Sequence, residues 1–475
     1  MDGANYRPVS HIIQVSKIVE YAVHEQVYNH FVNNQIFHPN HHGFIKEHNT
    51  ATALAQLFDM WIEATENKEL SAAILLDLSA AFDVVDHKIF LQKLKIYNFS
   101  DEAIAWFEAY LKEREHYIQV ETKLSDPQII KDIGVPQGSI LGPLIFIIMG
   151  NDLPDCNNEG ESVLYADDNT GDVHDKDPEV LITKIQKQAD VATEWVRDNR
   201  MVCSGEKTKL LIIGTKEQKR NIDIENVEVE VCGETVKVSE SEKLLGLVIN
   251  GDLTWKHYLY GEKWRPKKKD NFKGLIPKLS MRVGLLKQMK PKMGNKSFNL
   301  VANALFSVNY CLHVFGNVWS TDEDQQRRFR SFTKRDCQKL QSLQNKVLRM
   351  KLNVNQWSNK PCVELIKESG DMSIHQQISY FTLLQVFKTT QSKKPDYLAK
   401  KLILKKPNGN NIFPQRQLNT IEVNSRLTVG RSGFLFRGAK LWNQLPNNMR
   451  SCNNVKHFKT AVKSWIRERI AVKPP

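Results

Sequence analysis

The sequence predicts an α+β fold in its first half, followed by a mostly helical and strongly basic second half. Three observations carry this reading. Up to about residue 255, short apolar strand-like runs are mixed with helical periodicities, without the regular strand–helix alternation of a doubly wound sheet. Beyond that point the periodicity is helical. The charge also inverts midway. Residues 1–250 hold 23 Lys and Arg against 41 Asp and Glu, a net of −18, and residues 251–475 hold 43 against 13, a net of +30, giving +12 for the 475-residue chain.

The elements follow in order. "HIIQVSKIVEYAVHEQVYNHFVNNQI" (11–36) places Ile12, Val15, Ile18, Val19 and Val23 at helical spacing. Residues 50–66 predict a second helix. "SAAILLD" (71–77) is a buried type of strand ending in an acid. "FDVVDHKIFLQKLKIY" (82–97) and "DEAIAWFEAYLKER" (101–114) predict amphipathic helices. "YIQV" (117–120) and "QIIKDI" (128–133) predict short strands. "GVPQGS" (134–139) predicts a turn leading into an apolar helix from Ile140. "VLYADD" (163–168) predicts a strand and turn, returning as a strand near Thr170–Val173. A helix over 178–200 and strands at "KLLIIG" (209–214) and "LLGLVI" (244–249) follow. "WRPKKKD" (264–270) predicts an exposed loop and "PNGNN" (407–411) a linker. In "QKLQSLQNKVLRMKL" (338–352) one apolar face would pack while Lys339, Lys346, Arg349 and Lys351 face outward.

Composition excludes several classes. No apolar run reaches the roughly 18 residues that a membrane helix needs. The N-terminus lacks a basic stretch followed by an apolar one, as a secretory signal requires. Seven scattered cysteines without a CxxC pair suit a reducing compartment and argue against a zinc knuckle. Cys452 with His457, and Cys311 with His313, lack zinc-site spacing and read as structural. A half-chain this basic asks for a polyanionic partner, and nucleic acid is the expected one.

The acidic half carries the candidate chemistry. Asp167 and Asp168 are adjacent at the end of an apolar strand, where two carboxylates repel unless a cation lies between them. By itself such a pair is usually a solvated turn. Asp77 also ends a strand, and if the two strands are neighbours, three carboxylates meet at one sheet edge. Mg²⁺ favours such oxygen donors, and a pair of ions held this way serves phosphoryl transfer. Asp83, Asp86 and His87, just past the first strand, read as local structure.

Seven blocks occur in order: "NYRPVSHIIQVSKIVE", "HHGFIKEHNTATAL", "AILLDLSAAFDVVDH", "GVPQGSILGPLIFIIMGNDLP", "LYADD", "SGEKTKLLIIG" and "KLLGLVINGDLTWKHY". Over roughly residues 5–260 they resemble the reverse transcriptases of non-LTR (LINE-type) retrotransposons. The resemblance implies a right-hand polymerase fold, with fingers and palm over 1–260, a helical thumb over 261–355 and a basic C-terminal region over 356–475. It implies an RNA-directed DNA polymerase that adds deoxynucleotides to a DNA primer on an RNA template, with two Mg²⁺ ions (or Mn²⁺) and no membrane partner. Asp77, Asp167 and Asp168 match the metal-binding aspartates, and the Leu78 carbonyl would face the second ion.

The same resemblance implies further roles. Phe82 would lie under the incoming sugar and exclude a 2′-hydroxyl. Gln137 would pack against the nucleotide, and Gly138 would let the backbone approach. The helix starting near Ser139 would aim free N–H groups at anions. Arg7 would clamp the triphosphate, and Lys207 would protonate leaving pyrophosphate. Trp255 and His257 would hold the primer, with core packing an equal reading for Trp255. Asn169 departs from the small hydroxyl residue common after "YADD". Six residues precede "RPVS", so a polymerase lacking the endonuclease that usually comes first is expected. Action in nucleus and cytoplasm is expected, with "RPKKK" (265–269) a weak address. A nucleic-acid-binding copy of the same fold without activity, and an intron-maturase-like enzyme, are the rival readings.

Overall fold

A computed structural model describes residues 10–112, 114–130, 132–261, 273–316, 332–355, 357–404, 420–422 and 433–470. Arg7, the expected loop at 264–270 and the expected linker at 407–411 lie outside the described residues. The chain forms two compact units. The first comprises residues 1–49, 71–212 and 221–239, and the second residues 50–70, 213–220 and 240–475. No described helix is long and apolar enough to cross a membrane.

The first unit is built on a four-stranded sheet. Its strands are β1 (Leu70–Asp77), β2 (Glu161–Tyr165), β3 (Asp168–Asp175) and β4 (Lys209–Ile213), in the order β2-β3-β1-β4. β1 is internal, and its near-continuous apolar run is buried from Leu70 through Ile74, as a strand covered on both faces must be. β2 and β3 form an antiparallel hairpin with Val163 opposite Thr170 and Tyr165 opposite Asp168. The Leu141–Met149 helix is apolar all round and buried from Leu141 to Met149 except at Pro143. The Pro178–Asp198 helix starts at a proline, is capped by Asp177, and lies against β3 and the hairpin Glu228–Val231/Glu234–Lys237. A buried lysine ties the unit together. Lys93 Nζ reaches both Asp152 oxygens and the Met149 carbonyl at 2.7 Å, and Trp195 Nε1 donates to Asp152 at 3.0 Å.

Three expectations need correction here. The first helix spans Gln14–Asn33, against the expected 11–36, and the apolar residues that predicted it are not its buried face: Val15, Ile18 and Val19 are exposed, while Glu20, Val27, Tyr28 and Phe31 are buried. Helical spacing identifies a face, not which side is covered. The helix expected over 82–97 begins at His87, because Asp86 caps it by accepting from the Ile89 N–H at 3.0 Å. Phe82 and Asp83 therefore sit in a preceding turn. The run "LLGLVI" is not one strand. Gly246, at φ +84°, bends it into a hairpin of Ser241–Leu244 against Leu247–Asn250.

The second unit is mostly helical. The Thr50–Glu66 helix is buried on almost every side, with Trp61 fully enclosed. It needs cover from several directions, and the helices Leu312–Phe315 and Phe434–Gln444 supply part of it. The Ile374–Ser392 helix packs on Leu312–Phe315, Lys334–Lys351, Phe434–Gln444 and Val455–Arg469, and Phe387 stacks on Phe458 at 3.9 Å. The chain is thus not partitioned by cuts at 260 and 355. The 50–66 helix and residues 240–260 join the second unit, which also takes in the C-terminal helices. Leu340, Leu343, Val347 and Leu348 are buried as expected, but Arg349 and Lys351 do not face outward freely. Arg349 binds the Ser358 and Lys360 carbonyls, and Lys351 binds Asp371 at 2.7 Å.

Asp59 is a buried acid in this unit. One oxygen accepts from the Phe434 N–H at 3.1 Å and so caps the 434–444 helix. Burial pushes its pKa up to about 7, against the pull of Lys401 and Arg437. A carboxyl whose folded pKa lies above its unfolded value stabilises the fold fully below pH 4, and that stability fades as pH rises through 7. Asp59→Asn is expected to flatten the pH dependence of unfolding between pH 4 and 7 by a span on the order of 4 kcal/mol. Urea unfolding of both chains at several pH values checks this; parallel curves would contradict it.

Candidate active site

The sheet edge is where the candidate acids gather. β1 ends at Asp77. The β2–β3 hairpin turns through Ala166 and Asp167, with Tyr165 and Asp168 as its closing pair. Two-residue hairpin loops of this kind need a positive φ at their first position, and Ala166 adopts +56°. An alanine held there stores about 1 kcal/mol or more of strain. The neighbouring chain supports it. The His42 N–H donates to the Leu164 carbonyl at 2.7 Å, and the Leu164 N–H donates to the Asn40 carbonyl at 3.0 Å. Gly43 comes so near that an added Cβ would lie 2.2 Å from the Ala166 nitrogen. Any side chain at Gly43 would push the turn away.

Alternation along the strands places the acids. β3 lies directly beside β1. Ile74 and Leu76 of β1 and Asn169 and Gly171 of β3 line one small cavity beneath the 178–198 helix. Successive residues of a strand point to opposite faces. Asp77, one position after Leu76, and Asp168, one position before Asn169, therefore share the other face at one end of the sheet. Asp167 stands at the tip of the turn between the strands. Asp77 is half-buried, and Asp167 and Asp168 are exposed. Asn169 belongs to the reverse face, so its departure from the common hydroxyl residue does not touch the acids.

Asp77 is held from its far side. Its carbonyl accepts from the Ser204 N–H at 3.1 Å, and the Ser79 N–H donates to the Val202 carbonyl at 2.8 Å. These two bonds flank a bridge between Leu78 and Cys203 and do not use the Leu78 carbonyl. The Asp77 N–H donates to Thr208 Oγ1 at 3.4 Å, and Ser79 Oγ donates to Asp77 Oδ1 at 3.3 Å. Lys207 is exposed in the same 204–208 turn, next to Thr208.

Phe82 and the "PQGS" turn form one body. Val135 N–H donates to the Phe82 carbonyl and Gly134 N–H to the Val85 carbonyl, both at 2.8 Å. The half-buried Phe82 ring stacks on Phe146 at 5.0 Å and 23°. Gln137 Nε2 donates to both Asp83 oxygens, at 3.0 and 3.1 Å. The Gln137 carbonyl accepts from the Ser10 N–H at 2.7 Å. Gly138 has φ +114°, and a Cβ there would lie 2.9 Å from the Ser10 carbonyl.

Several readings change. The N-terminus of the 141–149 helix is not an open anion site. Ser139 Oγ takes the Gly142 N–H at 2.8 Å, and buried Glu20 takes the Ile140 N–H at 2.7 Å. Trp255 is 4% exposed and packs on Phe58, Tyr258 and Phe315. It is a core ring with no face left for a primer. His257, half-buried in the first turn of Lys256–Tyr260, belongs like Trp255 to the second unit. As expected, Asp86 is structural: besides its cap it pairs with Arg200 at 2.7 Å, and His87 Nε2 bonds the Gly134 carbonyl. Gly43 and Thr208 were not singled out from the sequence, and Asp83 reads there only as local structure. Only the first carried a signal, a glycine inside "HHGFIKEHNT". Among the described residues, no three His, Cys, Asp or Glu side chains are grouped so that together they could hold a metal ion.

Comparison with known proteins follows from this geometry. Residues 2–249 match the family described as reverse transcriptase (RNA-dependent DNA polymerase). The probable RNA-directed DNA polymerase from transposon BS of Drosophila melanogaster is 30% identical over 154 residues, covering 32% of this chain and 17% of that protein. The RNA-directed DNA polymerase from mobile element jockey of Drosophila melanogaster is 26% identical over 267 residues, covering 54% of this chain and 28% of that protein. Among solved structures, telomerase from Candida tropicalis in complex with the TWJ fragment of telomeric RNA aligns with a TM-score of 0.39 at 10% identity, over 95% of this chain and 56% of that one. The chain spans less than a third of the length of these two curated relatives.

The Gly138 contact is open to direct test. Gly138→Ala places a Cβ at a left-handed φ and against the Ser10 carbonyl, and is expected to cost about 1–3 kcal/mol. It also frees the Ser10 amide, whose hydrogen exchange should accelerate. Unchanged unfolding and unchanged exchange would contradict this account of the turn.

Proposed function

The chain belongs to the reverse transcriptase family, on the side of the non-LTR retrotransposon enzymes, and from that premise we propose that it is an RNA-directed DNA polymerase acting through Asp77, Asp167 and Asp168. What supports the proposal is that Asp77 ends one strand, and Asp167 and Asp168 stand at the start of the strand beside it. Template RNA, a DNA primer and deoxynucleoside triphosphates are the proposed partners.

The donor set fits Mg²⁺. Its oxygens are hard carboxylates, and two of the three are exposed. Mg²⁺ is commonly bound by one or two carboxylates together with substrate phosphates, not by an all-protein cage, so an edge without a closed ligand set suits it. Asp77, Asp167 and Asp168 would hold two ions, which when bound activate a primer hydroxyl and offset the charge that develops on phosphate. The Leu78 carbonyl, left out of the bridge to Cys203, is a candidate further donor.

The remaining residues shape the site. Phe82 is backed by Phe146, so its ring makes a firm wall for the sugar of an incoming deoxynucleotide. Asp83 fixes the Gln137 amide, which positions that side chain against a base pair. Lys207, exposed beside the Thr208 contact to Asp77, is the proposed proton donor to the leaving pyrophosphate.

Primer extension on an RNA template with Mg²⁺ tests the proposal. Asp77→Ala and Asp168→Ala are each expected to lower extension by roughly a thousandfold or more, because each removes a ligand from the reacting centre. Template binding without extension by the unaltered chain would favour the inactive binding protein. Extension that survives Asp168→Ala would remove the acids from the chemistry. Phe82→Ala is expected to admit ribonucleotides; sugar selection unchanged in that variant would assign Phe82 to packing alone.

A further inference from the structure

Two thiols lie behind this edge with no part in the proposed chemistry. Cys203 sits in the segment that runs beside Asp77–Ser79. Cys232 is the first turn residue of the hairpin Glu228–Val231/Glu234–Lys237, at φ +52°. The two belong to the same unit. Both are half-buried and free, and each thiol perturbs the acidity of the other. The contact is built on both sides. Thr193 Oγ1 lies 3.8 Å from the Cys232 sulfur and accepts the Cys232 N–H at 3.0 Å. Thr208 Oγ1 lies 3.8 Å from the Cys203 sulfur. Gly205 has no side chain, and a Cβ there would lie 2.5 Å from the Glu234 Cβ, so the two segments meet closely.

We propose that Cys203 and Cys232 are a redox-active pair that closes reversibly to a disulfide when the protein meets a peroxide. The placement favours Cys232 as the attacking sulfur, since the neighbouring Cys203 and the Thr193 hydroxyl lower its pKa to about 7. The Cys232 thiolate attacks one oxygen of hydrogen peroxide, the O–O bond breaks, and hydroxide leaves, giving a sulfenic acid. The Cys203 sulfur then attacks that sulfur, and water leaves as the S–S bond forms. Two thiols are oxidised, one peroxide is reduced, and a dithiol reductant returns the two electrons. The link would fasten the hairpin to the segment alongside Asp77. It is independent of whether the acids are catalytic.

The test uses the full chain. Peroxide is added to the native protein and, separately, to protein first unfolded in guanidinium. Both samples are then unfolded, alkylated and mapped without reductant. The native sample is expected to lose two of its seven alkylatable thiols, with a peptide joining Cys203 to Cys232 that dithiothreitol releases. Its formation should be faster than in the unfolded chain by roughly tenfold or more, because the fold holds the sulfurs together. Seven alkylated thiols, a link between other cysteines, or equal rates in the two samples would each overturn the proposal.

Discussion

The site depends on how the end of β1 is fixed. Asp77 has a short reach, and among the described residues no ion pair holds it. What holds it is backbone: its carbonyl on the Ser204 N–H, its own N–H on Thr208, and the Ser79 N–H on the Val202 carbonyl. These bonds bracket the acid on both sides along the chain and set the angle at which it leaves the sheet. A carboxylate aligned by backbone keeps its negative charge unspent, whereas one aligned by a salt bridge has already used it. At the hairpin tip Ala166 carries the strained turn, Gly43 backs it, and that turn presents Asp167 and Asp168.

Buried cations in both units are employed differently. Lys93 is enclosed and answered by Asp152 and a carbonyl. Arg437 is buried and gives its guanidinium to the carbonyls of His313, Val314 and Gly316, finishing the short 312–315 helix. A helix end buried without such partners would leave carbonyls unsatisfied. These groups contribute to the formal charge of the sequence but offer nothing to a polyanion. The basic surplus after residue 250 is therefore not equivalent to a basic surface. Arg349, Lys351 and Arg437 are fold-building cations, whereas Lys339 and Lys346 remain exposed.

Much of the first unit was legible in the sequence, and particular residues show why. β1, the β2–β3 hairpin and the 141–149 and 178–198 helices each carry one unbroken signal: an apolar run, a turn at a fixed offset, or a proline and an Asp at a helix start. The three acids were legible because each lies at the end of such an element. What was not legible depends on contacts far apart in the chain. The outward side of the first helix cannot be told from its spacing, because the buried Glu20 is chosen by Tyr110 and the Ile140 N–H. Asp83 looked like local structure because its partner, Gln137, lies 54 residues away. Trp255 looked available because nothing nearby in sequence announces Phe58 or Phe315.

The weave of the chain follows from the same difference in range. A helix buried on almost every side cannot end a sheet-based unit, since it needs neighbours all round. The Thr50–Glu66 helix is of that kind, and it finds cover among helices that come more than 240 residues later. β1 leaves it at once and enters the sheet that bears Asp77. A boundary sought by composition falls where the charge changes sign. The physical boundary falls where burial demands change, and in this chain it is crossed between residues 49 and 71, well before the charge inverts.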